Sequence, residues 1–238
     1  MRTIQGVSVS AGIAIGTVRV LAAVDYAVER RLIDDPQAEM DRFRAARDTA
    51  VAQLKQLRDN VAAEFGENKA ELFDAHRLML QDPDYAECVE GLIAQDKVNA
   101  EFAVKSAAEQ FAAMFAAMDS STMQARAADV KDVSRRVMNV LQGKRDSTAQ
   151  DGSVQGDAAQ NGIVQNGIAQ NGESHIIFAE DLAPSDTAQL DRAKVLGLVT
   201  AKGSANSHTA ILARTMGPAP PSQVSATPLT RPMMVTLP

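Results

Sequence analysis

Between Met40 and Val61 apolar side chains fall at steps of three and four, through Phe43, Ala46, Ala50, Leu54 and Leu57, with polar residues between them. That spacing lines one face of an α-helix and predicts a helix from about 36 to 65. Asp34 or Asp35 can cap its start, Pro36 fits the first turn, and Gly66 ends it. Segments 67–81, 82–95, 99–118 and 122–141 read as further helices, separated by Asp82-Pro83, the Asp96-to-Asn99 turn and Asp119-Ser120-Ser121. Short connections make consecutive helices antiparallel neighbours, so an antiparallel helical bundle is expected over 25–145.

The flanks carry a different pattern. Val7 to Leu21 reads as a first β segment, 1–24, bent at Gly12 and Gly16. His175 to Ala179 restarts a strand, Pro184 and Ser185 begin a helix, and Val195, Leu196, Leu198 and Val199 form a buried strand. Lys202 to Asn206 then reads as a tight loop and Thr209 to Met216 as a short helix with Ile211 and Leu212 inward. The region 175–217 is thus the remainder of an α/β domain that the bundle interrupts, and the chain is mainly helical overall. From Gln150 to Gln170 a glutamine recurs every five residues, converging on Gln160-Asn161-Gly162, Gln165-Asn166-Gly167 and Gln170-Asn171-Gly172. A pentapeptide solenoid needs a large apolar residue at each inward position, and here the aligned positions are polar or glycine. A flexible Gln/Asn/Gly repeat linker over 146–174 is the expectation. Pro218-Ala219-Pro220-Pro221 opens a stretch, 218–238, without clear periodicity, expected to be a disordered or truncated tail.

With 238 residues and 45% hydrophobic content the chain can bury a sizeable core. No apolar run is long enough to cross a bilayer and the start lacks a signal-peptide pattern, so a cytoplasmic location is expected. The lone Cys88 excludes an intramolecular disulfide and reads as a buried, inert thiol. Aromatic residues are sparse at 4%, which leaves Met79, Met114, Met118, Met123 and Met138 as gap fillers or contact residues. The formal charge of −6 is localised: Glu64 to Glu90 holds eight acids against Lys69 and Arg77, and the rest of the chain balances. Acids on helices are often only a solvated face; a localised acidic face also steers a basic protein partner and repels nucleic acid.

The candidate chemistry centres on Gly203-Ser204-Ala205-Asn206-Ser207-His208-Thr209. Small residues let the backbone approach a bulky anion, and the free N–H groups of a helix start stabilise negative charge there. His208 supplies a nucleophilic imidazole nitrogen at neutral pH, so it is the candidate phosphoryl carrier, with Gly203, Ser204, Asn206, Ser207 and Thr209 as the phosphate loop.

These residues, with Ile211-Leu212-Ala213-Arg214 after them, resemble enzyme I of the bacterial phosphoenolpyruvate:sugar phosphotransferase system. Pyruvate phosphate dikinase and phosphoenolpyruvate synthase carry a similar motif. Enzyme I is favoured by Ile4 to Gly16, Phe65-Gly66-Glu67 with Phe73, His76 and Leu80, Arg126-Ala127-Ala128-Asp129-Val130, and Leu182 to Leu190. The resemblance runs to about Met216. It implies an α/β phosphohistidine domain, phosphorylation of His208 from phosphoenolpyruvate, and transfer to a histidine of the carrier HPr. It implies that Thr187 orients the His208 ring, although a threonine at a helix start also commonly bonds its own helix. It places HPr contacts at Glu67, Lys69, Phe73, His76, Met79, Leu80, Asp82, Asp84 and Arg126, where His76 can equally be a packed core histidine and Arg126 a bundle anchor.

Two departures from the family pattern qualify this. Ser204 and Ala205 stand where the motif typically has a second glycine and often an arginine. The proline-rich stretch replaces the expected continuation into the barrel that binds phosphoenolpyruvate and Mg²⁺, so exchange with HPr alone is the expected activity, with no cofactor or metal held by these residues. A non-catalytic HPr-binding fragment and a swivelling dikinase domain remain as alternatives.

Overall fold

A computed structural model describes residues 7–8, 14–21, 28–143, 174–190, 194–201 and 233–236. The chain divides into two compact units, one of Met1–Asp25 with Ser147–Pro238 and one of Tyr26–Asp146. The first unit contains β1 (Val7–Ser8), β2 (Thr17–Leu21), β3 (His175–Ala179), α6 (Pro184–Ala188), β4 (Val195–Thr200) and β5 (Met233–Thr236); the second contains α1 (Pro36–Phe65), α2 (Glu67–Gln81), α3 (Pro83–Asp96), α4 (Ala100–Ala116) and α5 (Ser121–Leu141).

In the helical unit the expected period appears as burial. Phe43, Ala46, Ala50, Leu54, Leu57 and Val61 line the inner face of α1, while Met40 is only half-buried. Asp35 caps the helix by accepting from the Ala38 N–H at 3.0 Å, and Gly66, at φ 91°, ends it in a region that favours glycine. Helix α1 packs against α2 and α5, and α4 lies along α5. Ala100, Ala103, Ala107, Ala108 and Ala112 are buried on α4. Small side chains let helix backbones approach closely, which suits a core with no tryptophan and few aromatics.

The start and end of this unit are tied by one polar cluster. Arg31 to Ile33 runs antiparallel to Lys97 to Asn99 through Ile33 N–H to Lys97 C=O at 2.9 Å and Asn99 N–H to Arg31 C=O at 3.0 Å. Asn99 cannot cap α4 with its side chain, because its Oδ1 accepts from the Arg31 N–H and its Nδ2 donates to Glu101. Glu39 of α1 caps instead, accepting from the Ala100 N–H at 2.6 Å. Arg42 then joins three elements, pairing with Glu39 at 2.8 Å and with the buried Glu101, and donating to the Leu141 carbonyl at 2.9 Å.

The first unit is a five-stranded sheet in the order β1-β5-β4-β3-β2. Pairings β2–β3, β3–β4 and β4–β5 are parallel and β1–β5 is antiparallel. Strand β2 thus pairs, residue for residue from Thr17↔His175 to Leu21↔Ala179, with a strand that follows the whole helical unit in sequence. At Gly16 a Cβ would come within 2.6 Å of Leu196 Cδ1, so any larger residue there would make the end of that side chain shift.

Of the stretch 218–238, read from the sequence as a disordered or truncated tail, only Met233 to Thr236 is described, and these four residues form β5. Met233 to Thr236 pairs with β4 from Gly197↔Met233 to Thr200↔Thr236 and with β1 on its other side. The repeat linker and the segment Thr209 to Met216 fall outside the described residues.

Burial alone pushes the Glu101 carboxyl up, but the hydrogen bonds from Arg42, its own backbone and Asn99, with the Arg42 charge, outweigh it and hold the group below its ordinary value. A lowered carboxylate value contributes stability that is complete above the ordinary glutamate pKa and is lost as pH falls through the folded value. Equilibrium denaturation should therefore show this contribution intact at pH 7 and eroding below the ordinary glutamate range. Glu101→Gln should cost about 1–3 kcal/mol at pH 7 and remove that part of the acid dependence; an unchanged acid limb would contradict it.

Candidate functional site

Strands β3 and β4 lie side by side and end together. Ala179 is in register with Thr200, and the Ala201 N–H donates to the Ala179 carbonyl at 3.0 Å. Open parallel sheets bind ligands beyond the carboxyl ends of their strands, because that is where the connecting loops converge. Asp181 to Ala183 leads from β3 into α6, and the segment holding His208 follows β4 directly. The loop segment and the helix that carries Thr187 therefore spring from adjacent strand ends. His208, Gly203, Ser204, Asn206, Ser207 and Thr209 themselves lie outside the described residues.

Thr187 is fully buried on α6. Its hydroxyl donates to the Ala183 carbonyl at 3.1 Å, alongside the Thr187 N–H bond to the same carbonyl at 3.0 Å. That is the local helix-start bond considered from the sequence, and it has a chemical corollary. A hydroxyl whose proton is already committed can only accept from a further partner. Asp186 fixes the start of α6 by accepting from the Ala183 N–H at 3.3 Å, and the Gln189 amide donates to the Ser185 carbonyl at 3.0 Å.

Thr200 was not singled out from the sequence. It is 1% exposed at the end of β4, and its Oγ1 has no hydrogen-bond partner among the described residues. A hydroxyl after an apolar run, directly before the glycine loop, was the only signal available.

The residues proposed to face a protein partner divide into two groups. Phe73, His76 and Leu80 are fully buried in the helical unit, so as packed they are core residues and offer no contact surface. Of the three, only His76 is weighed from the sequence as a packed core histidine. Glu67, Asp82 and Asp84 are exposed, Lys69, Met79 and Arg126 half-buried. Asp82 also caps α3 by accepting from the Asp84 N–H at 2.9 Å.

The acidic segment is partly neutralised within the chain. Arg58 pairs with Glu67 and, at 3.1 Å, with Asp74; Arg77 meets Asp74 at 3.2 Å; and Arg44 meets Glu90 at 2.6 Å. Glu71, Asp82, Asp84 and Glu87 stay exposed.

Large apolar side chains are exposed on three helices of the helical unit: Leu78 on α2 at 63%, Met114 on α4 at 48% and Met123 on α5 at 44%. Met138, by contrast, is core, so the methionines split between packing and surface. Cys88 is half-buried rather than buried, and what burial it has pushes its thiol up. Among the described residues no group of three or more His, Cys, Asp or Glu could hold a metal ion, and no helix is long and apolar enough to cross a membrane.

Thermal or denaturant unfolding should separate core from surface on α2. Phe73→Ala should cost about 3–5 kcal/mol through lost burial and cavity formation, whereas Leu78→Ser should stay within about 0.5 kcal/mol. Equal losses would show that Leu78 is not on a free surface.

Two family models match the chain. The model for the N-terminal region of PEP-utilising enzymes matches residues 5–126, and that for their mobile domain matches 171–219. The pentad repeat lies between the two except for its last copy, Gln170-Asn171-Gly172, which overlaps the start of the second. A phosphoenolpyruvate-protein phosphotransferase of Bacillus subtilis (strain 168) is 38% identical over 216 residues, which is 91% of this chain and 35% of that protein. One from Listeria monocytogenes is 36% identical over 90% of this chain and 34% of its own length. The chain thus spans about a third of these relatives. A solution structure of Enzyme I matches with a TM-score of 0.66 at 30% identity, covering 90% of this chain and 79% of that one. An N-terminal domain of Enzyme 1 - Nitrogen, at 22% identity and a TM-score of 0.61, shares the fold, covering 98% of this chain and 83% of that one. The chain belongs to the PEP-utilising enzymes, in their phosphoenolpyruvate-protein phosphotransferase (Enzyme I) branch.

Proposed function

We propose that this chain is a phosphohistidine relay of the sugar phosphotransferase system, in which His208 carries a phosphoryl group that it exchanges with a histidine of HPr. The observation that carries the reading is the common ending of β3 and β4, from which the Thr187 helix and the His208 segment both start. The phosphohistidine domain is then the sheet unit, and the helical unit is its inserted partner-binding bundle.

Transfer needs little of the protein beyond a nucleophile held in position and a stabilised anion. In the charging direction a His208 ring nitrogen forms an N–P bond as the donor's bond to phosphorus breaks: the N–P bond of phospho-HPr in exchange, or the P–O bond of phosphoenolpyruvate with release of pyruvate in the longer family enzyme, where Mg²⁺ use also belongs. In the discharging direction the carrier's imidazole forms the new N–P bond and His208 leaves with its ring electrons restored.

Thr187 sets the ring. Its hydroxyl proton is engaged by Ala183, so its oxygen accepts from a protonated ring nitrogen and leaves the other nitrogen unprotonated for attack. Ser204 and Ala205 reduce the loop's flexibility and cation count relative to the family motif, which lowers the rate without removing the backbone donors. For the carrier, the exposed acids Asp82, Asp84, Glu71 and Glu87 suit a basic partner. Leu78, Met123 and Met114 supply the apolar contacts, with Arg126 directed to the carrier's phosphoryl group.

The assay is transfer of label from phospho-HPr. Wild-type chain should gain acid-labile label and His208→Ala none; an unlabelled wild type, or label that persists in His208→Ala, would sink the relay. HPr binding without transfer would favour the alternative of a non-catalytic docking module, which the compact helical unit makes specific. Thr187→Val should slow transfer on the order of tenfold to hundredfold while leaving HPr affinity unchanged.

A further inference from the structure

The interface of α2 with α5 holds a polar cluster that packing does not explain. His76 on α2 is fully buried, and neither ring nitrogen has a hydrogen-bond partner. Its Nε2 lies 3.4 Å from Asp129 Oδ1 and its Nδ1 lies 3.9 Å from Asp132 Oδ2, both carboxylates being on α5 and nearly inaccessible. Asp132 is also paired with Arg135 at 2.8 Å. Asp129 faces only a loose cation: Arg126 Nη1 stands 3.8 Å from Asp129 Oδ2, an oxygen that has no hydrogen bond of its own. The Phe73 ring meets the imidazole edge-on, 5.8 Å between centroids, and limits its movement.

Asp129 is therefore a buried carboxylate between two incomplete partners, one fully buried and one whose side chain is 35% exposed. Leaving a buried carboxylate with no partner is strongly unfavourable. An arginine that answers a buried carboxylate cannot turn toward a docked anion unless something replaces it there. His76 is already within reach of the same carboxylate and has a donor to give.

We propose that His76 is a positioning residue that takes over Asp129 when Arg126 turns outward to an anionic group on a docked carrier. The swap rests on the docking role given to Arg126 above. In the free chain Asp129 is shared between Arg126 and His76. In the docked state the His76 ring rotates slightly, donates from Nε2 to Asp129 Oδ1 and releases the guanidinium. No covalent bond changes, and the carboxylate is never left alone. The consequence is selectivity: the bundle favours a phosphorylated carrier over an unmodified one only because His76 frees Arg126 to meet the phosphoryl group.

Calorimetric titration with phosphorylated and unmodified HPr tests this in the His208→Ala background, where the phosphoryl group stays on the carrier. The parent should prefer phospho-HPr by about tenfold or more. His76→Leu should abolish that preference with the affinity for unmodified HPr retained, and His76→Gln, whose amide can still donate to Asp129, should keep it. Adding Asp129→Asn to His76→Leu should restore the preference, because the carboxylate that holds Arg126 is gone. A preference that survives His76→Leu, or equal weakening of both forms of HPr, overturns the swap. A parent that binds neither form overturns the docking role of this face instead. The free chain supplies an independent readout through thermal unfolding of His76→Leu, Arg126→Ala and the double variant. The double variant should lose more than the sum of the single losses, since Asp129 then has neither partner, and additive losses overturn the shared-carboxylate arrangement whatever HPr does.

Discussion

Parallel pairing of β2 with β3 is the constraint from which the rest of the architecture follows. Two strands that lie side by side in one sheet are separated in sequence by an entire helical unit. An insertion between adjacent strands is tolerable only if its own first and last residues are held near one another, since otherwise the strand ends are pulled apart. The cluster around Arg42 meets that demand within the helical unit. It joins the beginning of α1 to the beginning of α4 through Glu39 and Glu101, and to the last carbonyl of α5 at Leu141. Because Glu101 is buried, the cluster is not an ordinary surface ion pair of negligible worth. The β-like bridge of Leu32 with Val98 adds a backbone tie at the same place.

The same sheet determines where chemistry can occur. Parallel neighbours end on one side, so the connections leaving β3 and β4 start next to each other although they belong to different parts of the sequence. The proposed relay puts its nucleophile on one connection and its orienting hydroxyl on the other. Thr187 would give it direction in the proposed relay: a hydroxyl that has donated to Ala183 has only lone pairs left for a further partner. The helical unit carries exposed acids and a few exposed apolar side chains, the features on which its proposed partner role rests.

How far these features were legible in the sequence depended on whether local or distant contacts decide them. The five helices were legible because their spacing, the cap offered by Asp34 or Asp35, and the breaks at Gly66, Asp82-Pro83 and Asp119-Ser120-Ser121 are local signals. Strands 175–179 and 195–200 were legible as apolar runs bounded by polar residues. Strand β5 was not, because four residues after a proline carry almost no signal and become a strand only by adding to the edge of β4. The side of α2 that faces inward was also hidden. Phe73, His76 and Leu80 form an inward stripe, while Leu78 and Met79 carry apolar character outward, and spacing alone does not say which stripe the neighbouring helices cover. The acidic segment looked like one uninterrupted face, since Arg44 and Arg58 lie far away in sequence and reach Glu90, Glu67 and Asp74 only through packing.

The central claim is that the end of β3 orients, through Thr187, an imidazole delivered by the segment after β4. Nitrogen NMR of the His208 ring tests it most directly, read in the wild-type chain and in Thr187→Val, before and after charging by phospho-HPr. The account predicts one dominant neutral tautomer in the wild type, a mixture in Thr187→Val, and phosphorus coupled to the ring nitrogen that was unprotonated beforehand. An imidazole whose tautomer balance is the same with and without the Thr187 hydroxyl, or phosphorus on the nitrogen that carried the fixed proton, would contradict it.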